Sequence, residues 1–289
     1  SSSAFPKGIE LVAMGTLAYA AEWAPDEDIL FEDEFPTGDT DQNIVKWALD
    51  HVPGVSYTGA NIAGTGVTLG TEAPDAFDWK KGVSAWTYIQ NLDRATLYRT
   101  YQQRDGTIKR VQMIGHPNTS DAFTLAAEDI LDGATGSRDT ERTRNAVRVV
   151  GHDYGDGGGP VLGFDSGAYG SLDGTGPDEW KLETFSSDLI EDGNDDVGSP
   201  LGNGGLDAQD IAEAILPDVL KEFVEAEIPS WRDDTHGPGQ TCLLDMLTRM
   251  AIGESMWVWR YAWEIEDGWT SHYSLSGGGV EQTYTAPGT

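Results

Sequence analysis

Cysteine is almost absent from this chain: Cys242 is the only one in 289 residues. A single thiol excludes a disulfide framework and a cysteine-based zinc site. It lies in the apolar run TCLLDML and reads as a buried, inert thiol. Bases are also scarce. Eighteen Lys and Arg stand against 49 Asp and Glu, for a net charge of −31. Such a field repels nucleic acid and anionic membrane surfaces. No apolar run approaches the ~18 residues of a membrane-spanning helix. The opening SSSAFPKG lacks Met and the charged and apolar regions of a signal peptide, so a processed, truncated or partial chain is expected.

Signatures of catalysis are missing as well. The five histidines are His51, His116, His152, His236 and His272, and none forms HExxH or another close metal pair. Gly198-Ser199-Pro200 is not a nucleophile elbow. Gly155–Gly159 lacks the Lys-Ser/Thr that follows a phosphate-binding loop. The expectation is no catalytic, cofactor-binding or metal-binding residue, and no cofactor.

What is present is glycine, acid and tryptophan. Thirty-six glycines imply many turns, and 38% hydrophobic content suffices for one large core or two modest ones. Ten tryptophans exceed the needs of such a core, which places some at contact surfaces. The charge is uneven. Arg94–Arg148 holds nine bases and seven acids, whereas Val149–Trp231 holds two bases and nineteen acids. Acidity of this kind reads as solubility, as adaptation to salt, or as a surface that DNA slides past without sticking.

Along the chain, Gly8–Tyr19 reads as one or two strands and Asp26–Thr40 as an acidic loop. Thr40 or Asp41 caps a helix running to about Val52, with Ile44, Val45, Ala48, Leu49 and Val52 inward. Val55–Leu69 reads as short strands. Between Asp78 and Gly115 lies a helix–hairpin unit. Val83, Trp86, Ile89 and Leu92 recur at helical spacing behind a Ser84 cap, and strands Leu97–Gln102 and Ile108–Ile114 flank Asp105-Gly106, a favoured hairpin turn. Trp86 and Ile89 are expected to be buried. Arg94, Arg104, Lys109 and Arg110 are expected to form a basic patch for a partner subunit.

Phe123–Ile130 precedes a polar stretch, DGATGSRDTERTR. Arg144–Gly151, RNAVRVVG, alternates at strand period, with Val147 and Val149 on one side. Gly155–Gly176 reads as a glycine-rich surface excursion and Glu191–Gly205 as a second loop. Asp207 caps the longest helix, to about Glu225, with a kink or break expected at Pro217. Strands follow at Thr241–Leu247, Ser255–Glu266 and Trp269–Leu275, with a turn at Glu266-Asp267-Gly268.

Three local patterns touch on chemistry. His152-Asp153 beside a glycine run has the composition of a base and its partner, or of a surface loop. Asp192, Asn194 and Asp196 alternate as calcium ligands do, but Gly198 falls one place late and no Glu follows at the required distance, so the loop is not an EF-hand. Trp257, Trp259, Tyr261 and Trp263 alternate along one strand and so share one face. That strip reads as barrel core or subunit interface, or as a sugar-binding face.

Together these stretches resemble the hub proteins of phage tails: the late control D protein group, the central hub of contractile-tail baseplates and the hub half of VgrG spikes. Four stretches carry the resemblance. Asp41–Val52 is similar to the family's first helix, and Asp78–Gly115 to its helix and Asp-Gly hairpin with a basic second strand, Ile108-Lys109-Arg110. RNAVRVVG is similar to its N-x-V-x-V-x-G strand. Asp207–Phe223, followed by Gly237-Pro238-Gly239-Gln240-Thr241, resembles its helix, turn and strand. Trp257–Ser276 looks like the closing hairpin. The family carries more barrel before its first helix than the forty residues seen here, so a segment is absent or lies on another chain.

The resemblance implies an α+β fold: two small tube-protein-like β-barrel domains joined by an α+β element, with acidic glycine-rich insertions. Residues 1–40 would be a remnant or part of the first barrel, 41–143 the α+β element, and 144–289 the second barrel with helix 207–225. It implies a non-enzymatic virion protein of bacteriophage type. That protein would be a homotrimeric hub at the tail tip, adapting a sixfold tube to a threefold tip and forming part of the DNA channel. Its partners would be a tail tube or distal tail protein ring and a central spike, tip or tape-measure protein, with DNA only as non-adhesive cargo and no membrane span. The alternatives are a tail-associated cell-wall glycosidase or peptidase, or a carbohydrate-binding adhesin module using Trp257–Trp263.

Overall fold

The computed structural model describes residues 15–103, 105–112, 122–139, 144–155, 159–166, 181–191, 207–220, 223–231, 240–246, 252–264 and 270–277. Helices α1 (Thr16–Glu22) and α2 (Phe31–Glu34) come first. Thr16–Tyr19 is therefore helical rather than strand, while the start of the expected Gly8–Tyr19 strand lies outside the described residues. The acidic loop Asp26–Thr40 is anchored from within. Phe31 is buried, its N–H donates to Asp78 Oδ1 (2.8 Å), and Ile29 bridges Trp79.

Strand β1 (Asp39–Thr40) leads into α3 (Asp41–Asp50), and pairs with β2 (Thr68–Leu69). The inward residues of α3 are those its 3.6-residue period selects: Ile44, Val45, Ala48 and Leu49 are all buried. Each large one contributes roughly 1.5–3 kcal/mol relative to exposure. The span Val55–Leu69 is mostly irregular, with a 3₁₀ turn at Gly59–Asn61 and only β2 as strand. Its glycines leave too few consecutive pairing residues for a longer ladder.

Helix α4 (Ala85–Thr96) starts where Ser84 accepts from the Thr87 N–H at 3.1 Å. Ile89 and Leu92 are buried; Trp86 is only half-buried, at the rim of the same core. The helix ends at Leu97, which adopts φ 56°. This left-handed residue turns the chain straight into β3 (Tyr98–Gln102), paired with β4 (Ile108–Gln112) across the Asp105-Gly106 turn.

Strand β5 (Phe123–Ala126) is followed by β6 (Thr135–Asp139), which occupies a stretch whose polar composition reads as loop. Its strand state comes from its partner, because five of its residues pair with a later strand. Next come β7 (Ala146–Asp153), β8 (Pro160–Asp165) and β9 (Leu182–Ser186), a three-stranded sheet ordered β8-β7-β9. Val147 and Val149 are both buried on one face of β7. Strand β8 lies inside the supposed glycine excursion. Gly163 is what lets it approach helix α5 (Ala208–Val219), since a Cβ there would sit 2.0 Å from the Ala208 carbonyl oxygen.

Asp207 caps α5 through the Asp210 N–H at 2.6 Å. The helix stops two residues after Pro217, and Phe223 already belongs to strand β10 (Phe223–Ser230). The expected run to Glu225 is thus cut short, although the helix passes through Pro217 instead of breaking there. Strands β11 (Thr241–Met246), β12 (Ile252–Glu264) and β13 (Thr270–Ser276) complete the fold. The turn at 266–268 lies outside the described residues.

Strands β10–β13 join β5 and β6 in a six-stranded half-barrel ordered β5-β11-β12-β13-β10-β6, parallel only at β5–β11. Two hydrophobic cores result. One gathers α1–α5, β4 and β7; the other lies on one side of the half-barrel, around Leu125, Val224, Ile228, Leu244, Met256 and Tyr273. The architecture is α+β, but no second closed barrel is found among the described residues. Where one was expected, α5 packs across β7 and β8, so a helix rather than further strands covers that sheet.

Candidate functional site

The polar centre of the first core is Arg110. Period-two alternation along β4 places it on the same face as Ile108, and both are fully buried. Its Nε donates to Asp93 Oδ1 (2.7 Å) and its Nη1 to Asp41 Oδ2 and the Ala63 carbonyl (2.8 Å). Nη2 donates to Thr96 Oγ1 (2.6 Å), and the guanidinium lies over the Tyr98 ring. Asp41 also accepts from the Thr65 N–H, and Asp93 from the Thr100 N–H. The group is thus a buried ion cluster tying α3, α4 and the hairpin together.

This removes Arg110 from the expected basic patch. Arg110 faces inward, Arg94 is exposed with its guanidinium over Phe185, and Arg104 lies outside the described residues. A charge is buried here because two carboxylates and a planar five-donor fork satisfy one another. Asp41, read as a possible cap, instead turns its carboxylate inward.

A second anchor was not foreseen. Glu191 is buried, and its carboxylate accepts from the backbone N–H groups of Gly70 (2.8 Å), Glu72 (3.0 Å) and Ala73 (2.7 Å). These donors form a nest around an anion. Gly70, at φ 72°, makes the turn that aims them. In sequence Glu191 is one more acid at the head of an acidic loop, and nothing local distinguishes it.

The other sequence candidates do not assemble into a site. His152 packs against Tyr154 at 4.9 Å, while Asp153 accepts from the Gly155 N–H. No base–partner pair forms. Asp192, Asn194 and Asp196 lie outside the described residues. Trp257 is buried, but the β12–β13 register shifts between Val258 and Arg260. Trp257 pairs with Ser276 and Tyr261 with Tyr273, an odd offset, so the strict alternation expected from Trp257 to Trp263 is interrupted by a bulge. His51 lies in an aromatic cluster with Trp23, Trp47 and Trp79.

Among the described residues, no group of three or more His, Cys, Asp or Glu side chains is placed to hold a metal ion. Nor, among them, is any helix long and apolar enough to cross a membrane. The described residues line at least two concavities. One of about 330 Å³ lies between α4 and the segment after β9 and includes Asp78, Tyr88, Arg94 and Asp188. Another, of about 570 Å³, lies over β6, β10 and β13. Burial pushes the Tyr88 phenol up, and its hydroxyl donates to the Phe77 carbonyl, so it is a packing group rather than an acid.

The fold defines an α+β class with a half-barrel. No family model and no curated protein matches the sequence. Among solved structures, the chain is similar to the 43 kDa tail protein of prophage MuSo2 from Shewanella oneidensis. The two are 10% identical, with 90% of this chain and 71% of that one covered at a TM-score of 0.51. A tail protein from Neisseria meningitidis MC58 is 12% identical over 88% of this chain and 69% of its own, at a TM-score of 0.49. Prophage tail protein gp18 from Listeria monocytogenes EGD-e is 11% identical over 91% and 71%, at 0.47. At the MuSo2 level of identity, what is shared is the fold.

Proposed function

We propose that this chain is a structural, non-enzymatic protein of a phage-type tail, acting as a homotrimeric hub at the tail tip. The observation that carries this reading is the fold shared with the MuSo2 tail protein over nine-tenths of the chain. The half-barrel supports it. Among the described residues, β5 and β6 each pair on one side only, which leaves strand edges for neighbours. A closed cyclic ring satisfies such edges without open-ended growth. The partners on this reading are a tail tube or distal tail ring on one side and a spike, tip or tape-measure protein on the other. The net charge of −31 suits a channel through which DNA passes without adhesion.

The test is the mass of the purified chain in solution, followed by imaging. A particle of three times the 31.2 kDa chain with a threefold projection is expected. A stable monomer that cleaves or binds glycan would overturn the reading.

A further inference from the structure

The concavity between α4 and the segment after β9 carries charges of both signs. Tyr88, Asn91 and Arg94 recur at three-residue spacing on α4, so they form one stripe along it. The segment Ser186–Leu189 supplies another wall, with Asp188 in it. Two of the charges are already in use. Lys80 Nζ lies 3.0 Å from Asp78 Oδ2 and 3.8 Å from Asp28 Oδ2, and Asp78 Oδ1 accepts from the Phe31 N–H. Arg94 and Asp188 are different. Both line the same 330 Å³ space, yet neither side chain has an ion-pair or hydrogen-bond partner among the described residues, and nor has Asn91. Arg94 is held by a ring instead of an acid, its guanidinium 5.1 Å from the Phe185 centroid. Glu183, two residues before Phe185 on β9, pairs with Arg144 at 3.6 Å. Stacking fixes the plane of a guanidinium and leaves its in-plane donors open.

We propose that this concavity binds a short peptide with both ends free. Arg94 takes the carboxylate, Asp188 the ammonium, and the Asn91 carboxamide the peptide group between them. The two unpaired charges decide the class. A simple anion would meet Asp188 and a simple cation Arg94, so only a ligand carrying both signs complements both residues. Val83 and Leu189 offer apolar surface to a small side chain. The volume is at the lower end of small-ligand sites, roughly 300–1,000 Å³, which suits a peptide of very few residues. The proposal stands independently of the tail reading.

The probe is L-alanyl-L-alanine, read by saturation-transfer NMR on the full-length chain. Saturable transfer with a Kd on the order of 1 mM is expected, because Arg94 and Asp188 are both exposed and their charges stay solvated. Acetylating the amine or amidating the carboxylate should each weaken binding about fivefold. Two variants tie each end of the peptide to its residue. D188N should abolish the difference between free and acetylated peptide and keep the difference between free and amidated. R94Q should do the reverse. A merely structural role for Arg94 would lower stability without moving that pattern, and would overturn the proposal. D33N/K81Q alters exposed charges that do not line the space and should change nothing. Equal binding of the peptide blocked at both ends would reduce the site to apolar contact and overturn the proposal. So would loss of both preferences in D33N/K81Q, or no saturation at concentrations on the order of 10 mM.

Discussion

Arg110 donates through Nε to Asp93 Oδ1 at 2.7 Å, with both side chains out of solvent. The pair joins the last turn of α4 to the second strand of the hairpin. Asp41 closes the cluster from α3, 69 residues away in sequence. Removing Arg110 alone strands two buried carboxylates. Arg110→Met should cost about 3–5 kcal/mol, the range for breaking a buried pair from one side. The triple change Asp41→Asn, Asp93→Asn and Arg110→Met should recover most of it, because no charge is left unpaired. Urea unfolding of both variants checks this, and equal stability of the two would contradict the cluster's role.

The Glu191 anchor has a sharper chemical signature. Glu191→Gln keeps one carbonyl oxygen but points an NH₂ donor at a nest of donors. It should therefore cost nearly as much as Glu191→Ala, about 1.5–3 kcal/mol for lost bonds to a charged group. Hydrogen exchange should accelerate at the amides of Gly70, Glu72 and Ala73 and be unchanged at the half-barrel. Unaltered protection at those three amides would refute the anchor.

Gly163 tests the packing of α5 on its sheet. Gly163→Ala would put a methyl group within 2.0 Å of the Ala208 carbonyl oxygen and 2.4 Å of the Gln209 nitrogen. Backbone cannot yield as a side-chain tip does, so a loss of about 1–3 kcal/mol or more is expected. Thermal unfolding measures it. A neutral result would mean that helix and strand stand further apart.

Tyr57 supplies a pH test. Partial burial and then the hydrogen bond to Asp50 Oδ1 (2.9 Å) push its phenol up from 10.0 to about 12. The protonated form is favoured in the folded state. Its contribution is therefore complete below pH 10 and is lost as pH rises from 10 through 12. Tyrosinate absorbance should show late-titrating phenols, Tyr88 among them, and Asp50→Asn should bring only the Tyr57 phenol earlier. No change in that variant would assign the shift to burial alone.

Much of the local structure was legible from side-chain order. The inward stripe of α3, the Ser84 and Asp207 caps and the buried face of β7 follow from periods of 3.6 and 2 and from short-range hydrogen bonding. Arg110 shares the period-two face of Ile108, but its charge argued for solvent and its burial was not read. Thr135–Asp139 and Pro160–Asp165 were not legible. Polar or glycine-containing segments become strands here only because β10 and β7 offer them a ladder.

What the sequence by itself determined is therefore helices α3, α4 and the start of α5, the hairpin β3–β4, strands β7, β11, β12 and β13, a strongly acidic composition, and a resemblance to tail hubs. The tertiary structure alone decided three other things. Arg110 is interior, Glu191 is an anchor rather than a loop acid, and α5 rather than further strands covers the β7–β9 sheet. The reason is range. Period and capping act within one or two turns, whereas the partners of Arg110 and Glu191 lie 69 and 121 residues away and meet only when the chain packs.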